Sequence, residues 1–244
     1  MTPTDLAPDT ALFLDLDGTL IDIAPRHDLV VIPPELPGLV DRLRVLCGGA
    51  LAVVSGRPAR DIEAFLPLPG LVYAAEHGAR IRLPDGTLEE AAGRLPKREA
   101  WLASLRAELP RWPGAHIEEK SVGFVVHYRQ APEAGPEVLA SLTRLVASSP
   151  GEVEILTALM AYEVRPAGVG KGPAVQRLMR IAPFAGRVPV FIGDDVTDEE
   201  GMAAAAELGG YGLHVARDFD GGPAQVRQWL GEMTAALARG MTRG

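Results

Sequence analysis

Ala11-Leu12-Phe13-Leu14-Asp15-Leu16-Asp17-Gly18-Thr19-Leu20 is the stretch on which the reading of this chain turns. An unbroken apolar run ahead of two aspartates reads as a buried strand, and the spacing predicts that strand over residues 11–17. Residues two apart in an extended chain point to the same side, so Asp15 and Asp17 are expected together at its end. Gly18 then lets the chain turn sharply away. Two carboxylates held this close raise each other's pKa, and a divalent cation nearby removes much of that cost. Such a pair supplies one carboxylate as nucleophile and a second as proton shuttle. The plain structural alternative is a strand followed by an acidic turn.

Composition narrows the classes of function. The 244 residues are 47% hydrophobic and 23% charged, which is ordinary globular composition with room for one large domain or a core plus a smaller one. Lys and Arg number 24 against 32 Asp and Glu, a net charge of −8. That balance argues against nucleic acid or an anionic membrane surface as partner, while a small anionic substrate remains compatible with locally gathered cations. Cys47 is the only cysteine, so neither an intrachain disulfide nor a cysteine metal cluster can form; its apolar helical setting suggests a buried, inert thiol. Met1 to Asp9 carries no apolar stretch of signal-peptide type, and no run approaches a membrane span. A cytoplasmic protein is expected; the oligomeric state is open, with a monomer as the simpler expectation.

Along the chain, strand-like and helix-like segments alternate. Helices are predicted over 34–47, 58–65, 171–182, 197–208 and 223–237, and strands over 51–54, 71–75, 188–192 and 211–215, with a hairpin turn at Pro84-Asp85-Gly86. Residues 95–166 break the alternation with an αββαββ order. The fold class expected is α/β, a Rossmann-like, mostly parallel sheet core formed by 1–94 and 167–244, with an inserted α+β cap domain at 95–166.

In such sheets ligands bind beyond the carboxyl ends of the strands. Asp15 and Asp17 follow the first strand, Ser55-Gly56-Arg57 the second, and Asp194 and Asp195 a late one, while Lys171 opens a helix behind Gly168-Val169-Gly170. Each alone has a bland reading as turn, solvated lysine or helix cap. Together they suit phosphoryl transfer. A phosphomonoester dianion repels a carboxylate nucleophile, so the site needs a lysine and a cation such as Mg²⁺, with a small hydroxyl and turn amides for the remaining oxygens.

This set resembles the four motifs of the haloacid dehalogenase superfamily of phosphatases, over nearly the whole chain. The resemblance implies Asp15 as the residue phosphorylated in the reaction, Asp17 as general acid and then base, and Ser55 and Lys171 as phosphate ligands. It implies Mg²⁺ on Asp15, the Asp17 backbone carbonyl and Asp194, supported by Asp195 or Asp198. The insertion lies where the superfamily places its C2-type cap.

Ala75-Glu76-His77-Gly78, Glu118-Glu119-Lys120 with His127-Tyr128-Arg129, and Glu163-Val164-Arg165-Pro166 are similar to segments of the trehalose-6-phosphate phosphatases. That likeness implies a phosphorylated disaccharide as substrate, with Glu118, Lys120 and Glu163 on the distal glucose and Glu76, His77, Arg165, Gly56 and Arg57 as further substrate contacts. Carboxylates and a lysine suit a ligand rich in hydroxyls. Without the resemblance, Glu118 and Lys120 read equally as a surface ion pair, and His127 as a satisfied strand imidazole. Met202 stands where that family often carries an aromatic. The alternatives are a phosphatase for sucrose 6-phosphate or mannosylglycerate phosphate, a phospho-acceptor signalling domain, and a non-catalytic sugar-phosphate binding module. The second acid at Asp17 and the insertion count against a signalling domain. The hinges expected by composition lie near Leu95-Pro96 and Pro166 to Gly170.

Overall fold

Strand β1 (Thr10–Leu14) is buried along its whole length, which is why it carries Leu, Phe and Leu without polar alternation. It ends at Leu14, so both aspartates lie beyond the strand rather than inside one running to residue 17. The computed structural model describes residues 6–24, 29–90, 95–120, 122–158, 160–219 and 221–241. After β1 come α1 (Leu36–Leu46), β2 (Leu51–Val54), α2 (Ala59–Phe65), β3 (Val72–Ala75), β4 (Arg80–Arg82) and β5 (Leu88–Glu90). Next are α3 (Arg98–Glu108), β6 (His116–Glu119), β7 (Phe124–His127), α4 (Gly135–Val146), β8 (Val153–Ala158) and β9 (Ala161–Pro166). The chain closes with α5 (Lys171–Leu178), β10 (Val188–Gly193), α6 (Val196–Glu207), β11 (Tyr211–His214), α7 (Val215–Asp218) and α8 (Pro223–Met241).

Two compact units result, Met1–Ala91 with Gly170–Gly244, and Ala92–Val169. The first holds a seven-stranded sheet in the order β11-β10-β1-β2-β3-β4-β5. Its first five strands are parallel, and β4 and β5 extend the edge antiparallel. Alternation along β1 assigns its side chains to two cores. Leu12 and Leu14 meet Leu39, Val40 and Leu43 of α1 and Val226, Trp229 and Leu230 of α8. Ala11 and Phe13 join Val175 and Leu178 of α5 and Met202 and Ala205 of α6. Both faces are therefore covered by helices, as a parallel sheet requires.

The second unit is a four-stranded antiparallel sheet, β6-β7-β9-β8. Phe124, Val126, Tyr162 and Val164 pack with Trp101, Leu102 and Leu105 of α3 and Val138 and Leu142 of α4. The residues between them in sequence, Val125 and Glu163, point to the face opposite the helices.

One helix is shorter than its pattern suggested. Residues 171–182 were expected to be helical, but α5 ends at Leu178, where the ladder tightens and the amides of Arg180 and Ile181 reach back three residues. Cys47 is buried just past α1, and burial pushes its thiol up to about 11, an inert setting. Among the described residues no helix is long and apolar enough to cross a membrane.

The approach of α6 to β10 depends on Gly201, where an added Cβ would collide with the fully buried Phe191 ring. Gly201→Ala is expected to lower stability by about 1–3 kcal/mol, the usual cost of overpacking a filled core, read as a lower urea midpoint at unchanged m.

Candidate active site

The polar residues of the first unit gather where β1, β2 and β10 end. Asp15 follows β1 directly, and its backbone N–H donates to Ile192 O of β10 at 2.9 Å, which ties the residue to the sheet. Gly18, at φ +79, turns the chain back against Asp194; an added Cβ there would collide with that carboxylate. The Thr19 hydroxyl then lies 3.3 Å from Asp194 Oδ1 and 3.5 Å from Asp15 Oδ2, close to both acids.

Lys171 opens α5 and is buried, 2% exposed. Its Nζ donates to Asp15 Oδ1 at 2.9 Å and to Asp198 Oδ1 at 2.6 Å, and lies 4.0 Å from Asp195 Oδ1. Asp198 is fully buried, and its Oδ2 accepts the backbone N–H groups of Asp194 (3.0 Å) and Asp195 (3.1 Å). Asp195 turns elsewhere, capping α6 by accepting the Asp198 N–H and the Thr197 hydroxyl.

The charge balance here is poor. Burial pushes Asp15 up to about 6, although Lys171 pulls it down. Burial and then the Asp15 charge push Asp198 up to about 7. Asp194 is raised to about 6 by burial and by the charges of Asp198 and Asp195. Burial alone would depress Lys171, but the carboxylates of Asp15, Asp198 and Asp195 reverse that and raise it. One ammonium thus serves a cluster with excess negative charge. Asp15, Asp194 and Asp198 bring carboxylate oxygens within 4.8 Å of one another, a set of hard donors suited to a divalent cation.

Asp17 does not share this cluster through its side chain. Its carboxylate takes a two-point bond from Arg57, Nε to Oδ2 at 2.5 Å and Nη2 to Oδ1 at 2.6 Å. Arg57 also lies over the Phe65 ring, with its guanidinium carbon 4.9 Å from the centroid. The expected common face of Asp15 and Asp17 therefore does not exist. The strand ends before them, and their side chains take different partners. Arg57, expected among the substrate contacts, has its guanidinium on Asp17.

Ser55 follows β2, and its Oγ accepts the Arg57 N–H at 3.2 Å. The next turn braces this loop from behind. The Glu76 N–H donates to Arg57 O at 3.0 Å and the His77 N–H to Ser55 O at 2.9 Å. Both residues sit at left-handed φ, 53° and 57°, which is costly for side chains other than glycine. A Cβ on Gly56 would meet the His77 ring at 2.5 Å, so the ring lies directly against that glycine.

In the second unit, Glu118, Val125 and Glu163 stand side by side across β6, β7 and β9 on the face away from the helices. Lys120 Nζ lies 3.4 Å from Glu163 Oε1, and Arg165, 5% exposed, reaches Glu154 Oε2 at 3.4 Å. Glu118 Oε2 lies 2.8 Å from His127 Nε2, and the His127 ring stacks on His116. His116 carries no motif, and sequence reasoning passed over it; its position opposite His127 is a matter of strand register. Glu119, its side chain alternating to the helix side, is held by Arg98 and Arg106 of α3.

With this geometry in place, the relatives can be set beside it. The sequence model of the trehalose-phosphatase family matches residues 13–221. The chain belongs to that family. A probable trehalose-phosphate phosphatase of Sinorhizobium fredii (strain NBRC 101917 / NGR234) is 37% identical over 235 residues, 96% of this chain and 86% of that one. The trehalose-6-phosphate phosphatase of Escherichia coli K12 is 32% identical over 249 residues, covering 96% and 90%. The crystal structure of Aspergillus fumigatus trehalose-6-phosphate phosphatase superposes with a TM-score of 0.72 at 24% identity, covering 92% of each chain, and shows the shared fold. The family match spans residues of both units.

Replacing Lys171 tests how that cluster is balanced. Lys171→Met leaves buried carboxylates without their cation, so at about pH 8 with a chelator present it is expected to cost about 3 kcal/mol. With Lys171 pulling both down, Asp15 and Asp198 still stand at about 6 and about 7; without it both rise further, so the deficit grows as pH rises from about 6 upward and fades below that, where the acids are protonated in both proteins. The deficit, measured by urea unfolding, should therefore shrink markedly by about pH 5. A deficit independent of pH would contradict this account.

Proposed function

We infer that the chain hydrolyses trehalose 6-phosphate to trehalose and phosphate. The observation that carries the reading is the buried Lys171 ammonium shared by Asp15, just past β1, and Asp198, in the first turn of α6, with Asp194 as the third carboxylate of the cluster, in a trehalose-phosphatase family member.

In this reading an Asp15 carboxylate oxygen attacks phosphorus in line, forming an acyl phosphate as the bond to the sugar oxygen breaks. Asp17 gives its proton to the departing sugar oxygen, then takes one from the water that attacks the acyl phosphate and frees phosphate. Lys171 and the Ser55 hydroxyl hold phosphate oxygens, and the ammonium offsets the repulsion between dianion and carboxylate. In the structure the Arg57 fork holds Asp17 as an ionised carboxylate, so to act as acid Asp17 must turn away from Arg57 and take a proton from solvent before the first transfer; the proton it later takes from the attacking water restores that acid form. The raised acids Asp15, Asp194 and Asp198 fit a Mg²⁺ ion, which when bound would neutralise charge developing on the phosphoryl oxygens. The Asp17 backbone carbonyl is proposed as a further ligand. Asp198 is favoured over Asp195 as the supporting acid, because Asp195 is committed to the helix cap.

The unit Ala92–Val169 is proposed to choose the sugar and the seven-stranded unit to perform the chemistry. Glu118, Lys120 and Glu163 offer acceptors and donors to sugar hydroxyls from the sheet face opposite the helices. Arg165, Glu76 and His77 then read as supports, since each is engaged beside these residues or beside Ser55.

Phosphate release from trehalose 6-phosphate, sucrose 6-phosphate and glucose 6-phosphate, with Mg²⁺ and with EDTA, is the direct test. Preference for trehalose 6-phosphate, loss in EDTA and a drop of at least about a thousandfold in Asp15→Asn are expected. Metal-dependent preference for another sugar would overturn the substrate assignment and leave the phosphatase chemistry standing. Separately, Glu118→Ala and Lys120→Ala should each reduce kcat/KM for trehalose 6-phosphate by about tenfold or more. A small aryl phosphate should be affected far less; equal losses on both substrates would remove these residues from sugar recognition.

A further inference from the structure

His127 holds the most exposed of the three sugar-side groups. Glu118 is half exposed at 51%, whereas Glu163 is 15% exposed and lies beside Lys120. A glutamate on an open strand has three freely turning bonds, and fixing them when a ligand arrives costs affinity. Here one carboxylate oxygen is already engaged by His127 Nε2 at 2.8 Å. A carboxylate only accepts, so Nε2 carries the hydrogen and donates it. Among the described residues no hydrogen bond engages the other oxygen of Glu118.

The imidazole is itself fixed. His116 and His127 are directly opposite one another in the β6–β7 register, and their rings stack with centroids 4.7 Å apart and planes 14° from parallel. On the other face of the same hairpin, Arg98 Nη2 donates to Lys120 O at 3.1 Å and to Glu119 Oε2 at 3.0 Å. The hairpin is thus anchored from the helix side, and Glu118 is aimed from the open side.

We propose that His127 is a positioning residue for substrate recognition, orienting the Glu118 carboxylate toward a sugar hydroxyl, with His116 fixing the plane of its ring. This rests on the reading of Glu118 as a sugar ligand.

The test is a double-mutant cycle on KM and kcat for trehalose 6-phosphate at saturating Mg²⁺, with thermal melts to confirm folding. His127→Phe keeps a ring for the stack and removes the donor; it should raise KM about tenfold, the loss of one charge-assisted bond, with kcat changing much less. His127→Gln keeps a donor at similar reach and should recover most of the affinity. In a Glu118→Ala background, His127→Phe should add no further rise. His127→Leu gives the same comparison if the phenylalanine variant does not fold. A wild-type KM in His127→Phe, or a rise that multiplies with that of Glu118→Ala, overturns the positioning role alone. A wild-type KM in Glu118→Ala overturns the sugar-ligand assignment of Glu118, and this inference with it.

Discussion

The site of the first unit depends on one buried cation. Lys171 lies 2.9 Å from Asp15 and 2.6 Å from Asp198, and neither Lys171 nor Asp198 has appreciable contact with solvent. Carrying such charges out of water costs several kcal/mol per ion, and the arrangement stands only because each has close, hydrogen-bonded partners. Asp198 meets the requirement by accepting two backbone amides as well as the lysine, and Asp15 by its place at the end of β1. The remaining negative charge is what suits the cluster to a divalent cation.

That arrangement follows from sheet architecture. Parallel strands β1, β2 and β10 end on the same side, so the chain leaving each of them brings Asp15, Ser55 and Asp194 together, and α5 supplies Lys171. The strained turn at Glu76 and His77 follows β3, the next parallel strand, and fastens the Ser55 loop through two backbone bonds. Asp15 and Ser55 are therefore carried where the chain leaves a strand and are tied to neighbouring strands and turns by backbone hydrogen bonds.

The second unit solves a different problem with alternation. One face of its sheet is committed to the α3 and α4 core, and the other is left polar. Polar groups on that face engage one another, Lys120 with Glu163 and His127 with Glu118, so each is ordered by its neighbour. Glu119 illustrates how sharply strand parity sorts function, since one step along β6 turns its carboxylate from the open face to the arginines of α3.

Local pattern made the α/β class, the positions of β2, β3, β10 and β11, the αββαββ order and the identity of the acidic and basic motif residues legible, because burial imposes short-range periodicity on the chain. It did not reveal partners. Asp15 and Asp17 sit two residues apart, yet one turns to a lysine 156 residues away and the other to an arginine 40 residues away. The choice of Asp198 over Asp195 beside Lys171 depends on which acid is consumed by the α6 cap, and the hold of His127 on Glu118 depends on strand register. Spacing along a sequence determines which way a side chain starts out. Only the packed sheet decides which charge it meets, because pairing energies depend on distances that the fold alone sets.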